Sequence, residues 1–306
     1  MYKKMKNNKT LFLMGKNCDM YRTLKDTNIK FSKIYSDKLS KYLIRIFRNN
    51  MYTLPLTLAE WKKNIHEYQT IILFDTESTP CLIKWLATHA TKEARLIFYY
   101  RNSIESLKVN RQAIMPDKVK KYGFELWSYN VHDCNKYNMN YNSQVADSSV
   151  FQHNKVLDIK YDVFFAGLAK GRIQQLDLIQ SIIVQKGLIP YFFIPDKSES
   201  KQSQQLSYDN YLEKIMQSRA LLDFVTDKNY GLTMRPLEAM FSKRKLITNY
   251  DAIKEYDFYH PNNIFIFKDA NCLDKIEEFL ELEYIDLDEE INKKYDIEKW
   301  VYRFFK

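Results

Sequence analysis

The chain has 306 residues, with 47 Lys and Arg against 38 Asp and Glu, a formal net charge of +9 and a hydrophobic content of 45%. This length suits two domains that each bury a core, and this composition excludes general disorder. No apolar run approaches the roughly 20 residues of a membrane-spanning helix. The basic start is followed by a run, Leu11 to Met14, too short for a signal peptide. We therefore predict a cytoplasmic protein.

The cysteines are widely scattered, at Cys18, Cys81, Cys134 and Cys272. No two of them have the spacing of a metal or redox motif, so we expect reduced thiols and no metal site.

Predicted strands and helices alternate along the first half of the chain, which indicates a parallel sheet covered on both faces. Strands are predicted at Thr10–Met14, ending at Gly15, and at Thr70–Phe74, 94–100 and 124–128. Helices are predicted at 38–48, 79–90 and 116–122. In the first helix, the apolar spacing predicts that Tyr42, Leu43, Ile46 and Phe47 face inward.

The second half repeats this alternation after a polar stretch, 137–155, that we interpret as an interdomain linker. Strands are predicted at 163–166, 188–194, 221–225, 246–249 and 263–267, and helices at 172–186, 207–219, 235–242 and 272–282. A hydrophilic loop at 196–206 is expected to border the ligand site. The predicted organisation is an N-terminal domain at 1–150, a C-terminal domain at 151–285 and a helical segment at 286–306.

The last segment carries an apolar stripe formed by Ile297, Trp300, Val301 and Phe304. The stripe suits a helix that packs back onto the N-terminal domain, and a plain core helix is the alternative. A third interpretation, insertion of the stripe into a membrane, would apply if membrane binding resisted high salt.

The segment from Gly231 to Met240 predicts a tight turn followed by a helix. Gly231 permits the turn, Thr233 can cap the helix, and Pro236 is tolerated only near a helix start. The first-turn amide groups, from Gly231, Leu232 and Thr233 onward, would then face an anion. Glu238 could reach ribose hydroxyls and Arg235 could contact the same ligand; a solvated surface role for both is the alternative.

A second motif begins at the predicted strand 163–166. It continues through Gly167, Lys170 and Arg172 into a helix that stops at Gly187. Arg172 offers a planar fork for two phosphate oxygens and Lys170 a mobile charge. Strand, glycine loop, basic pair and helix predict a diphosphate site. The glycines match neither the three-glycine dinucleotide fingerprint nor a phosphate loop ending in Lys-Ser or Lys-Thr.

Taken together, these two motifs resemble the C-terminal half of bacterial two-domain glycosyltransferases of the GT-B type, with the stretches 245–249 and 256–264. Blocks at 71–75, 94–102, 122–128 and 133–137 look like the N-terminal half of the capsule, exopolysaccharide and lipopolysaccharide group. The resemblance implies an α/β fold of two Rossmann-like domains facing a central cleft. It also implies that a nucleotide-sugar donor, with no other cofactor, binds the C-terminal domain, and that a glycan or lipid-linked saccharide acceptor lies against the N-terminal domain.

For inverting transfer, a base must deprotonate the acceptor hydroxyl. Asp75, at the end of a predicted strand, is our first choice, with Asp19, His132 and Asp133 as alternatives; each is also suited to a structural cap. A retaining reaction would leave no need for a separate base. The only Asp-x-Asp triplet, Asp286 and Asp288, reads as a solvated helix start, so we predict metal-independent chemistry.

The positive charge is spread along the chain, which favours attraction to diphosphates and to the anionic inner face of the membrane. Without a basic helix, zinc spacing or aromatic RNA-binding motif, we predict no nucleic-acid partner. Two alternatives stay open: a hydrolysing nucleotide-sugar epimerase with the same fold, and a non-enzymatic basic protein that binds nucleic acid or membranes.

Overall fold

A computed structural model describes residues 8–15, 28–109, 114–152, 157–169, 171–195, 206–226 and 231–305, apart from the side chains of residues 109 and 152. Its internal contacts divide the chain into two compact units. The first contains the described residues up to Gln144, Gly231 and those from Val301 onward; the second contains those from Val145 to Trp300, except Gly231. The division at Gln144 falls six residues before the predicted domain boundary at 150.

The first unit is built on a six-stranded sheet in the order β2-β1-β3-β4-β5-β6. All neighbouring strands pair in parallel. Buried aliphatic side chains, such as those of Leu11, Leu73 and Leu126, form its core. The strands are β1 (Thr10–Met14), β2 (Ile29–Lys33), β3 (Thr70–Phe74), β4 (Arg95–Tyr100), β5 (Glu125–Ser128) and β6 (Asn140–Tyr141).

Helices of the first unit begin where a side chain accepts a hydrogen bond from a first-turn amide or where proline, which has no amide hydrogen, occupies the first turn. Thr79 caps α3 by accepting a hydrogen bond from the Leu82 amide, and Pro80 occupies the first turn, as the sequence predicts. The helices are α1 (Lys41–Phe47), α2 (Leu54–Thr57), α3 (Pro80–His89), α4 (Ile104–Val109), α5 (Pro116–Lys120) and α6 (Val131–Tyr137), with a 3-10 helix at Glu60–Glu67.

The predicted inward face of α1 is wrong for Tyr42 and Ile46, whereas Leu43 and Phe47 are half-buried. None of its residues is buried, and Tyr42 and Ile46 are 71% and 50% exposed. The apolar spacing is real, but the helix lies against the core only through partly buried residues such as Ile44.

In its described residues, 137–152, the stretch predicted as an interdomain linker contains regular structure and buried positions. It contains the end of α6, strand β6 and helix α7 (Ser149–Gln152). Asn142, Ser143 and Gln144 are buried, and the Ser143 carbonyl accepts a hydrogen bond from the Tyr99 hydroxyl at 2.9 Å. The buried Ser143 carbonyl is therefore satisfied by a tyrosine hydroxyl rather than by water.

The second unit contains a five-stranded sheet in the order β11-β10-β9-β7-β8, again parallel throughout. Side chains such as Phe164, Leu221 and Leu246 pack on one face, and Val163, Leu222 and Ile247 on the other. The strands are β7 (Tyr161–Ala166), β8 (Pro190–Phe193), β9 (Ser218–Asp223), β10 (Lys245–Thr248) and β11 (Ile264–Ile266).

The helices of this unit follow the predicted order, although α9 ends before the predicted limit because Ser218 already begins β9. The predicted loop at 196–206 lies outside the described residues except for Leu206. The helices are α8 (Ile173–Gln185), α9 (Tyr208–Met216), α10 (Arg235–Phe241), α11 (Ile276–Glu281), α12 (Glu289–Tyr295) and α13 (Ile297–Tyr302).

The apolar stripe of the final segment is buried. Ile297 is 4% exposed, and Trp300, Val301 and Phe304 are fully buried. Phe304, in the first unit, packs against the rings of Phe12, Tyr99 and Trp127. These side chains are not available to enter a membrane, and within the described residues no helix combines the length and apolar character needed to cross one.

Candidate functional site

The candidate site lies at the carboxyl edge of the second sheet. Strand β7 has β8 on one side and β9 on the other, so the strand order reverses between β7 and β9. In open parallel sheets, ligands bind outside the carboxyl ends of the strands at such a switch point. Here β7 ends at Ala166, followed by Gly167, and β9 ends at Asp223.

Two arginine side chains share one aromatic ring at this edge. The guanidinium carbons of Arg172 and Arg235 lie 5.2 Å and 4.9 Å from the centroid of the Phe165 ring. A Cβ atom added to Gly167 would lie 3.8 Å from an Nη2 atom of each arginine. The structure therefore brings together Gly167, Arg172 and Arg235, three of the residues that the sequence assigns to the donor site.

Arg235 is held by the ends of both strands. Its Nη2 atom donates a hydrogen bond to the Ala166 carbonyl at 2.5 Å, and its Nη1 atom is 3.8 Å from Asp223 Oδ1. The Thr233 hydroxyl donates to the same carboxylate oxygen at 2.9 Å. The exposed fractions of the Arg235 and Asp223 side chains are only 13% and 4%, so Arg235 is not an ordinary surface charge.

The electrostatics at this edge favour an added negative charge. Burial and the neighbouring Arg235 charge lower the pKa of Arg172 to about 10. Within the described part of the chain, the buried Nε atoms of Arg172 and Arg235 have no hydrogen-bond partner. A phosphate or carboxylate ligand would relieve the repulsion between the guanidinium groups and offer acceptors to them.

Glu238 is buried rather than solvated, with an exposed fraction of 7%. Its Oε2 atom accepts a hydrogen bond from the Tyr211 hydroxyl at 2.6 Å. Burial and the adjacent Glu238 raise the pKa of Tyr211 well above its ordinary value, so this hydroxyl stays protonated as a donor. Tyr211 thus fixes Glu238 near Arg235, whose charge also acts on Tyr211.

The start of α10 differs from the predicted anion site. The Arg235 amide donates to the Thr233 hydroxyl, the Leu237 and Glu238 amides donate to the Met234 carbonyl, and Pro236 has no amide hydrogen. Thr233 is therefore not the helix cap, a position that Met234 occupies. The positive groups at this edge are the arginine side chains, not these amides.

The turn that leads to α10 has the predicted backbone. Gly231 has a φ of +73°, in the left-handed region that glycine adopts without strain. Leu232 is only 2% exposed and packs into the core, so its side chain serves the fold rather than a ligand.

In the first unit, Asp75 directly follows β3 and is 7% exposed. Its Oδ2 atom accepts hydrogen bonds from the amide and the side-chain nitrogen of Asn102, at 3.1 Å and 3.0 Å. Burial raises the pKa of Asp75 above the ordinary carboxyl range, although these hydrogen bonds oppose the shift. Asp75 therefore holds the segment that follows β4 in place through Asn102. Its raised pKa also suits a general base.

The alternative bases lie in different environments. Asp133 is buried and accepts a hydrogen bond from the Ile104 amide at 2.9 Å, so it caps the start of α4; burial raises its pKa. His132 is exposed on α6. Asp19 and the proposed phosphate ligand Lys170 lie outside the described residues.

The Asp-x-Asp triplet occupies the helix start predicted for it. Asp288 caps α12 by accepting a hydrogen bond from the Glu290 amide at 2.7 Å, and Asp286 pairs with Lys243 at 2.7 Å. Across the residues with described positions, no group of three or more His, Cys, Asp or Glu side chains could hold a metal ion.

Sequence reasoning missed three residues of this site. Asp223 reads as part of an apolar strand run, Tyr211 as one of many aromatic residues, and Phe165 as a core residue. The available signal for Asp223 is a lone carboxylate in the run Leu221-Leu222-Asp223-Phe224-Val225, which must lie near cations if it is buried.

Comparison with known proteins gives a fold. No protein-family profile and no curated protein matches the sequence. Among solved structures, an alpha-glucosyltransferase in complex with UDP and a 13-mer DNA containing a central A:G mismatch is similar, with a TM-score of 0.57 and 12% identity, over 96% of this chain and 94% of that one.

The structure of HepE (Alr3699) from Anabaena in complex with UDP also has a TM-score of 0.57, at 13% identity, over 97% of this chain and 98% of that one. The same protein with UDP and glucose gives 0.56 at 11% identity, over 97% and 98% of the two chains. The chain thus has an α/β fold with two parallel sheets that is similar to the folds of an alpha-glucosyltransferase and of HepE, both in complex with UDP.

Proposed function

We propose that this protein is a metal-independent glycosyltransferase of the GT-B type that transfers a sugar from a nucleoside-diphosphate sugar to a saccharide acceptor. The observation that carries the proposal is the pair Arg172 and Arg235 at the switch point of the second sheet. The similarity of the fold to structures that contain UDP supports a nucleoside diphosphate as the ligand.

In the proposed mechanism, the diphosphate of the donor lies beside Gly167 and receives hydrogen bonds from the two guanidinium groups. Negative charge develops on the diphosphate as the bond to the sugar breaks, and fixed cations stabilise this charge without reorganisation. Lys170 would add a further positive charge. Glu238, held by Tyr211, would orient the ribose through its carboxylate.

The acceptor is proposed to lie against the first unit, with Asp75 as the base if the reaction inverts the anomeric centre. We assign the acceptor to the glycans or lipid-linked saccharides of bacterial surface polysaccharides such as capsule or lipopolysaccharide. The net charge of +9 supports loose attachment of this protein to the anionic inner face of the membrane.

The decisive experiment measures UDP, GDP, CDP and ADP binding by calorimetry to the protein and to Arg172→Ala. Loss of a charge-assisted phosphate contact should cost about 1.5 to 3 kcal/mol, with unchanged thermal stability. Arg219→Ala is the matched control because Arg219 lies at the opposite end of β9, paired with Asp162 and Glu281. Equal affinity in wild type and a folded Arg172→Ala variant would reject the site.

Acceptor assays complete the test. Transfer from the preferred donor is measured to lipid-linked saccharides, to free glycans and to duplex DNA, since one similar structure contains DNA. Release of free sugar at the same rate with and without every acceptor would favour a hydrolysing epimerase, whereas transfer to DNA alone would keep the enzyme class and replace the acceptor.

A further inference from the structure

An exposed apolar and basic surface lies on the two short helices that follow β2. We define the α1–α2 surface by Lys41, Tyr42, Arg45 and Ile46 of α1, Tyr52 in the connection and Leu56 of α2. Its four apolar side chains, Tyr42, Ile46, Tyr52 and Leu56, are 71%, 50%, 93% and 63% exposed. A concentration of exposed large apolar side chains within 15 residues is typical of a surface that binds a protein or a membrane.

The geometry of α1 directs these side chains away from the protein. Ile44 packs against the core of the first unit. Residues two positions before and after it lie about 160° from it around an α-helix, so Tyr42 and Ile46 project together on the opposite side. Lys41 and Arg45 are exposed on the flank of the same helix.

The charge of this segment has one sign. From Lys38 to Ala59 the sequence contains Lys38, Lys41, Arg45 and Arg48 and no Asp or Glu. The flanking carboxylates, Asp37 and Glu60, have lysine partners at 2.7 Å and 2.6 Å. Among the described residues, Lys41 and Arg45 have no ion-pair partner, and half-buried Arg48 lies beside Tyr35.

We propose that the α1–α2 surface docks this protein on an anionic lipid bilayer. Tyr side chains are favoured at the membrane interface, Ile and Leu gain from contact with acyl chains, and lysine and arginine beside them bind anionic headgroups. A nucleic-acid surface would use the cations but gain little from exposed Ile46 and Leu56. A protein partner would not need anionic lipid, and the experiment separates these occupants.

This inference rests on the membrane attachment in the proposed function and assigns that attachment to the α1–α2 surface. The stripe of Ile297, Trp300, Val301 and Phe304 is buried. The α1–α2 surface is therefore the better candidate for a surface that inserts into the membrane. Vesicle binding is measured without donor or acceptor. Its failure would therefore leave the proposed sugar transfer intact, and loss of UDP binding in Arg172→Ala would not affect it.

The experiment is sedimentation of the full chain with vesicles of phosphatidylcholine alone and with 30% phosphatidylglycerol. We expect binding to the anionic vesicles only. Replacing both cations in Lys41→Ala/Arg45→Ala should weaken it roughly thirtyfold at low salt. Tyr42→Ser/Ile46→Ser should weaken it by about tenfold or more and remove the fraction that remains bound in high salt.

Matched controls use exposed residues of the second unit. Leu178→Ser/Val184→Ser removes two apolar side chains of α8 that are 48% and 56% exposed, and Lys254→Ala/Lys268→Ala removes two exposed cations. UDP affinity and thermal stability should be unchanged in every variant. The proposal is overturned if wild type does not bind anionic vesicles, or if the α1 variants bind them as well as the controls do.

Discussion

Burial decides the state of Asp223, the carboxylate that lies beside two arginines. Desolvation raises its pKa above the ordinary carboxyl range, whereas Arg235, the Thr233 hydroxyl and Arg172 lower it. The net direction is upward, so the loss of water outweighs the nearby positive charge. The ionised form of Asp223 therefore costs folding free energy. The compensation is that the carboxylate helps to hold Arg235 at the site.

This balance predicts the pH dependence of Asp223→Asn. The folded protein binds the Asp223 proton more tightly than the unfolded chain, whose Asp pKa is about 3.9. The contribution of Asp223 to the stability of wild type is then largest at low pH and falls as pH rises through the folded pKa. Urea unfolding from pH 4 to pH 8 should show wild type losing stability relative to Asp223→Asn.

The opposite trend would mean that the arginines outweigh desolvation. Asp147→Asn is a useful control, because Asp147 is another buried carboxylate of the second unit and accepts hydrogen bonds from the amide and the hydroxyl of Ser149.

Residue-level reasoning from the sequence reaches only part of the site. The glycine, the basic pair and the proline-containing helix lie in short segments with recognisable order. The sequence therefore singles out Gly167, Arg172 and Arg235, which the structure brings together. The contacts of Asp223 and Tyr211 link segments separated by 12 and 27 residues, at Arg235 and Glu238. Such pairing depends on how helices α9 and α10 pack against β9, which no local pattern contains.

Among the strands of the first unit, burial on both faces separates those that the sequence predicts from those that it misses. Strand β3 is buried at all five positions and is predicted with its exact limits. Strand β2 has the sequence Ile-Lys-Phe-Ser-Lys and lies at the edge of its sheet, and no apolar run marks it. Helix α1 shows that an apolar spacing predicts a face but not what covers that face.

The element formed by Arg303–Phe305 provides a stability prediction. Phe304 is fully buried against Phe12, Tyr99 and Trp127, so Phe304→Ala should leave a cavity and destabilise the first unit by about 3 to 5 kcal/mol. Urea unfolding, followed by tryptophan fluorescence, measures the change.

Phe305→Ala is the control on the same turn, because Phe305 is only half-buried. Equal stability losses in the two variants would contradict the packing described for Phe304.

At the scale of the whole molecule, the two units use one plan. In each sheet the first strand lies between the second and the third, and the remaining strands follow on the side of the third. A glycine follows the first strand, Gly15 or Gly167, and an aspartate stands at the end of the third, Asp75 or Asp223. In the second unit, Arg172 and Arg235 lie at this position, which supports assigning the donor there.

Metal independence is a prediction of the proposed sugar transfer. Arg172 and Arg235 supply fixed positive charge at the proposed diphosphate position, while Asp286 and Asp288 are used in an ion pair and a helix cap. Sugar transfer should therefore continue in EDTA at a rate within about twofold of the untreated enzyme, since no bridging cation is required. Full loss in EDTA with recovery on addition of Mg²⁺ or Mn²⁺ would contradict this mechanism.

The packing of Phe304 also constrains how the chain can mature on the ribosome. Domains generally fold in the order in which they are synthesised, the N-terminal one first. Here the segment from Val301 onward belongs to the first unit but is translated after the whole of the second. Until Phe304 is synthesised, Phe12, Tyr99 and Trp127 of the nascent first unit therefore lack this aromatic neighbour. A ribosome that stalls within the second unit would leave both units incomplete.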